Sequence, residues 1–179
     1  MSMKSDFTDD EWFLISAMPG MIGAAMSNAA PSGVIGTIKE MSATMQSAVK
    51  AKSDFPDSEL INALVQKAEN WAEAKEKMAD YRQRAEARLS SANVTNRDEL
   101  QKLALGECKQ AIALVDEKCS AEDAKIYKQW TANVARAVAE AAKEGSVLGF
   151  GGERVSESEQ KLLAEIESIL GVQGGVLIA

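Results

Sequence analysis

The sequence contains no histidine, and this absence excludes every catalytic or metal site that depends on an imidazole group. Without imidazole there is no Ser-His or Cys-His nucleophile pair, no imidazole base, no HExxH zinc site and no Glu-x-x-His di-iron motif. Serine and threonine have only lysine or a carboxylate as a possible base, so no nucleophile stands out. We expect a non-catalytic protein with no catalytic residue, metal or cofactor. An enzyme that works through Lys, Asp or Glu is the alternative.

Cysteine, proline and aromatic residues are also scarce, with two cysteines, three prolines and 5% aromatics. A composition rich in Ala, Met, Glu and Lys and poor in proline favours helix almost everywhere. Cys108 and Cys119 fall in one predicted helix, roughly 16 Å apart along its axis. They cannot bridge each other at that distance and are typical of small core residues in a reducing compartment. With no secretory signal visible, we expect a cytoplasmic protein.

Clusters of positive charge are missing as well. The net charge is −7, and no group of Lys and Arg exceeds a local pair or triplet. Binding to a nucleic-acid backbone requires a concentrated positive face, so we expect no nucleic-acid partner.

Charge of either sign is absent from residues 12–38, although 26% of the chain is charged. The segment from Trp12 to Ala30 could span a bilayer by length. Its polar residues, with Pro19 and several glycines, lower the mean hydropathy below that of a spanning helix. We therefore expect a core hairpin and no stable membrane insertion. A subunit interface is the second interpretation and lipid is the third.

The fold predicted from these patterns is all-α, a single domain over residues 1–179 with about six helices in one bundle. An apolar hairpin covers 8–52: Thr8 and Glu11 form a capping box, and a helix to Ala29, kinked near Pro19, is followed by one over 34–52. A break at 53–57 precedes a long central amphipathic helix over 58–89, about 48 Å in length.

A second hairpin covers 96–144, with Asn96 and Ser120 as caps and Gly145 as its end. A Gly-rich loop follows over 145–155. The last helix occupies 156–171, where Ser156 and Glu159 form another capping box and Gly171 ends the helix. An apolar tail remains after it.

The long helix is predicted to face the core with its apolar side, and the three tryptophans Trp12, Trp71 and Trp130 to share that core. Its other side carries a ladder of Glu69, Glu73 and Glu76. A metal site is one interpretation of this ladder. Because lysines are interleaved with the acids, we expect a solvated, salt-bridged face instead.

The Gly-rich loop is the one candidate for cofactor or ligand binding, through Gly145, Gly149, Gly151 and Gly152. Glycine N–H groups near a helix N-terminus can hold an anion. The loop lies between helices, so it matches neither a P-loop nor a dinucleotide-binding turn. It is predicted to be a connector packed on the core. A small-ligand site and a partner-docking loop are the alternatives.

The two ends of the chain echo each other. Trp12 is followed 21 residues later by Gly33, and Trp130 is followed 22 residues later by Gly152. Each end combines a Trp, an Ala-rich helix, a glycine turn and a helix with an early Glu. A pseudo-twofold repeat would place the two Ala-rich helices against each other at the centre.

Residues 130–170 contain the run Ala-Val-Ala-Glu-Ala-Ala-Lys-Glu-Gly and then Gly-Phe-Gly-Gly-Glu-Arg-Val-Ser. This stretch, about a quarter of the chain, resembles the C-terminal part of small uncharacterised bacterial all-helical proteins. That resemblance implies a helical fold and no activity. The echoed turns are similar to TerB-type tellurite-resistance domains, whose turns carry a metal-binding aspartate. Ser32 and Gly151 stand at that position here, which implies that the acidic metal site is not shared.

The leading hypothesis is a non-catalytic cytoplasmic protein that acts by helix-mediated association, as a homo-oligomer or with a protein partner. The second is a stress-related helical domain that binds a small ligand or metal. The third is a membrane-active protein that uses the apolar 12–38 hairpin.

Overall fold

The computed structural model describes residues 4–29, 44, 46–47, 50–66, 68–144, 156–173 and 176–177. In this part of the chain the fold is all-α, as predicted. After a 3₁₀ turn at Lys4–Asp6 come α1 (Asp9–Ser27), α2 (Glu59–Leu64), α3 (Trp71–Ser91), α4 (Arg97–Lys118), α5 (Ala121–Glu144) and α6 (Glu157–Leu170). Residues 50–54 are also helical. Two short strands, β1 (Val172–Gln173) and β2 (Val176–Leu177), pair antiparallel in the apolar tail.

Local caps determine where the helices begin, and the predicted caps are confirmed. Thr8 accepts from the amide of Glu11 and the Glu11 carboxylate accepts from the amide of Thr8, which completes the capping box of α1. The Phe7 and Trp12 ring centroids lie 5.6 Å apart, and this contact across the first turn of α1 forms a hydrophobic staple. The structure also confirms the predicted helix starts at Asn96, at Ser120 and at the pair Ser156 and Glu159, and the predicted helix end at Gly171, whose φ is 63°. The predicted end at Gly145 lies outside the described residues.

The charge-free segment forms the centre of the core as far as it is described. One side of α1 is buried, at Leu14, Ile15, Ala17, Met18, Pro19, Ile22, Gly23, Ala25 and Met26. This side packs against α4 and α5. Within the charge-free segment, α1 therefore belongs to the core, as expected. The hairpin turn stays a prediction, because residues 30–38 lie outside the described part.

The second limb of the N-terminal hairpin is described at residues 44, 46–47 and 50–54, which are helical. This agrees with the end of the predicted 34–52 helix and extends it to Asp54. An added Cβ at Gly23 would lie 2.6 Å from Thr44 Oγ1, so the glycine lets the limb approach α1 closely. The predicted beginning of this helix lies outside the described residues.

The remaining core comes from the predicted inner faces of α4, α5 and α6. The two Ala-rich helices α1 and α5 do pack against each other, as expected, and α6 packs on α4 and α5. Cys108 is buried in α4, while Cys119 caps its end and is half-buried, and neither forms a disulfide. A salt bridge of 2.7 Å between Arg136 and Glu167 joins α5 to α6.

The predicted long helix over 58–89 is wrong, because the chain breaks into α2 and α3. Ser58 caps α2 and donates to the Asp123 carboxylate at 2.6 Å, which together with buried Leu60 and Ile61 holds α2 on α5. Asn70 then starts a new helix by accepting from the amide of Glu73. Asn prefers this capping role to a helix interior, and this preference outweighs the continuous amphipathic pattern.

Among the described residues, none of the helices combines the length and the apolar character that crossing a membrane requires.

Candidate interaction surface

The helix α3 is capped at both ends but has no buried residue. Asn70 caps its first turn, and the amides of Ala92 and Asn93 close its last turn on Arg88 and Ser90. Asn93 adopts a φ of 50°, a left-handed conformation that Asn tolerates well. The burial pattern of α3 differs from that of α1, α4, α5 and α6, each of which contributes residues to the core.

Among the described residues, the contacts of α3 with the rest of the protein are concentrated in its C-terminal half. The Tyr81 ring lies 5.7 Å from the Phe13 ring of α1, and the guanidinium groups of Arg84 and Arg88 lie 5.5 and 5.4 Å from the same ring. Arg88 also forms a salt bridge of 2.7 Å with Glu107 of α4. These cation–π and ionic contacts attach one end of the helix to the body.

The N-terminal half of α3 exposes large apolar side chains. Trp71 is 84% exposed and Met78 is 67% exposed. They are seven residues apart, so they stand on the same side of the helix two turns from each other, with Ala74 between them. The prediction that the three tryptophans share a core is wrong for Trp71, although Trp130 is buried and Trp12 packs against the core.

The charges of α3 are segregated around this apolar stripe. At 100° per residue, all five basic residues lie along its two edges: Lys75 and Arg82 on one, and Lys77, Arg84 and Arg88 on the other. Of the four acidic residues of the helix, Glu76 and Asp80 lie on the opposite side, whereas Glu73 and Glu86 lie next to the basic edges, each about 20° beyond the nearest basic residue. We call Trp71, Ala74 and Met78, with Lys75, Lys77 and Arg82 beside them, the α3 surface.

Glu69 does not share a helix with Glu73 and Glu76, because α3 begins after Glu69, so the metal interpretation of these three acids loses its basis. Glu73 forms an ion pair of 2.7 Å with Lys77, and its pKa is lowered by the hydrogen bond from Lys77 and then by the amide of Glu69. Across the described ranges, no group of three His, Cys, Asp or Glu side chains lies close enough to hold a metal ion.

The Gly-rich loop, predicted as a connector with ligand binding as an alternative, lies outside the described residues with its four glycines Gly145, Gly149, Gly151 and Gly152. A cavity of about 300 Å³ lies between residues 47 and 50–55 on one side and α5 on the other. Trp130 and Arg136 line it. The buried indole N–H of Trp130 has no hydrogen-bond partner within the described part of the chain.

Sequence reasoning missed the α3 surface because it assigned Trp71 and Met78 to the core. Two signals in the sequence could have found it. Asn70 and Glu73 form a helix start inside the supposed long helix. Basic residues also lie along both edges of the apolar stripe. Residues at such edges form ion pairs with a partner helix, and a helix that packs only on the core of its own protein does not require them.

No protein-family model, no curated protein and no solved structure matches this chain. The resemblances drawn from its C-terminal quarter and its echoed turns stay predictions.

Proposed function

We propose that this chain is a non-catalytic cytoplasmic protein that acts by helix-mediated association, and that the α3 surface is where it associates. One observation carries the proposal: a capped helix of 21 residues presents Trp71 and Met78 to solvent. Tryptophan is among the residue types most enriched where binding energy concentrates in interfaces.

The location of the core supports this assignment. The apolar residues of α1, the strongest alternative candidate for an interface, are already buried against α4 and α5. The apolar residues at the N-terminal end of α3 have no such partner among the described elements. Exposed contiguous apolar side chains rimmed by polar residues are typical of interaction sites.

The test is association of the full chain, wild type against the double variant Trp71→Ala/Met78→Ala. Light scattering across micromolar concentrations measures self-association. Fluorescence anisotropy measures binding of a labelled helical peptide with leucine along its seam and glutamine along both flanks. We expect wild type to associate in at least one assay and the variant to lose that association. Because both side chains are exposed, the double substitution changes the free energy of unfolding by only about 0.5 kcal/mol.

A strict monomer that binds no helical peptide, whatever its flanks, would contradict the proposal. So would a double variant that associates as well as wild type. The matched control is Lys125→Ala/Lys161→Ala on the exposed sides of α5 and α6, and it should behave as wild type does.

A further inference from the structure

The α3 surface has a shape that suits one helix. Trp71, Ala74 and Met78 occupy positions i, i+3 and i+7, the spacing of a coiled-coil seam. The small Ala74 between two large residues leaves a hole that a large side chain of a partner can fill. Tyr81 and Ala85 continue the seam toward the end of α3 that contacts α1.

The edges of this seam carry positively charged side chains that are exposed to solvent. Lys75 and Arg82 lie on one edge and Lys77 on the other, and all three side chains are exposed. Arg82 and Lys77 pair with Glu86 and Glu73, acids that lie outside the seam. Those i,i+4 pairs are exposed and therefore weak. The Lys77 and Arg82 side chains can consequently also form ion pairs with acidic residues of a partner.

We propose that the α3 surface binds an amphipathic helix of a partner protein whose apolar seam is flanked by acidic residues. This rests on the proposed function and specifies its partner. Residues that flank a helical seam form the interhelical ion pairs that determine partner choice.

Charge argues against a second copy of α3 as the occupant. In a parallel or an antiparallel pair of identical helices, the two edges, one with Lys75 and Arg82 and the other with Lys77, would face basic residues of the other copy. Like charges placed opposite each other disfavour that pairing, whereas acidic flanks match it.

The narrow seam argues against a lipid surface. Interfacial helices bind in proportion to the apolar area that they bury. The apolar area of the α3 surface consists of only two large side chains and of alanines. The C-terminal half of α3 adds nothing to it, because that half faces α1 and α4.

The experiment compares two labelled helical peptides that differ only at their flanks, one with glutamate and one with lysine, against the full chain. We expect the glutamate peptide to bind about tenfold or more tightly than the lysine peptide at low salt. The difference should shrink at high salt, because exposed charges are screened.

The variant Lys75→Glu/Arg82→Glu should reverse this preference while it leaves the fold unchanged. The matched control Lys125→Glu/Lys161→Glu carries the same change in net charge on α5 and α6 and should keep the preference for glutamate. This pair separates local complementarity from the overall charge of the protein.

The outcomes distinguish the two proposals. If the glutamine-flanked peptide binds but glutamate and lysine flanks bind equally, the acidic partner is wrong and association through α3 stands. If none of the peptides binds, the acidic-helix partner is overturned. Binding to phosphatidylcholine–phosphatidylglycerol vesicles that depends on Trp71 would overturn the acidic-helix partner in favour of lipid. Self-association that depends on Trp71 would overturn it in favour of a second copy.

Discussion

At the residue scale, the most informative contact joins Tyr127 of α5 to the backbone carbonyl of Ile15 in α1, one turn before Pro19. Pro19 has no N–H, so the carbonyl of Ile15, one turn earlier, loses its helical donor. The Tyr127 hydroxyl donates to that carbonyl at 2.8 Å. Tyr127 is fully buried, and burial raises its pKa well above the usual value, so the hydroxyl keeps its proton at neutral pH. A side chain from another helix thus replaces the missing backbone hydrogen bond.

We predict that Tyr127→Phe lowers the free energy of unfolding by about 1–3 kcal/mol, because it leaves the buried Ile15 carbonyl without a donor. Urea denaturation followed by circular dichroism measures the change. The loss should be smaller in a Pro19→Ala background, where the amide of residue 19 can donate to Ile15. Equal losses in both backgrounds would show that the hydroxyl contributes independently of the proline.

At the element scale, α3 depends on a few contacts at one end. The carboxylate of Glu107 is buried, with its Oε1 bound by Arg88 and its Oε2 without a partner in the described part of the chain. The salt bridges further toward the N-terminus of α3, such as that between Arg82 and Glu86, are exposed. The two kinds of pair should therefore differ in their contribution to stability.

We predict that Arg88→Ala destabilises the protein by about 2 kcal/mol or more, because it leaves a buried charge uncompensated. The comparison variant Arg82→Ala removes an exposed pair and should cost less than about 0.5 kcal/mol. Urea denaturation compares the two. Amide hydrogen exchange should also become faster over the last turns of α3 in Arg88→Ala only. Similar effects of both substitutions would mean that Glu107 does not anchor the helix.

At the scale of the whole molecule, the core holds two protonated groups that the unfolded chain would release at alkaline pH. Burial raises the pKa of Cys108 from 9.0 to about 12 and raises that of Tyr127 well above 10.0. The native state therefore keeps protons that the unfolded state loses. The corresponding stability is present in full below about pH 9 and falls as the pH rises above that value.

We predict that the free energy of unfolding is steady from pH 7 to about pH 8.5 and then decreases by up to about 1.4 kcal/mol per pH unit for each group. Urea denaturation at pH 7, 9, 10 and 11 measures the profile. In Cys108→Ala the decline should begin near pH 10 instead of pH 9, whatever its stability at neutral pH. An unchanged onset in that variant would remove Cys108 from the explanation.

The sequence by itself determined the helical fold class, the helix starts and the character of α1 as a core element. Those features depend on residues within one turn of each other, such as Thr8 with Glu11 and Ser156 with Glu159. The division of the predicted long helix was also encoded locally, at Asn70, although the continuous amphipathic pattern predicted a single helix.

Only the tertiary structure decided which apolar stripes are covered. Periodicity shows that Trp71 and Met78 share one side of a helix, and it contains no information on whether another element packs there. The same holds for the tyrosine that replaces the bond lost at Pro19, since Tyr127 and Ile15 are 112 residues apart. Burial is a relation between distant segments, and for this reason the α3 surface became visible only when the helices were placed together.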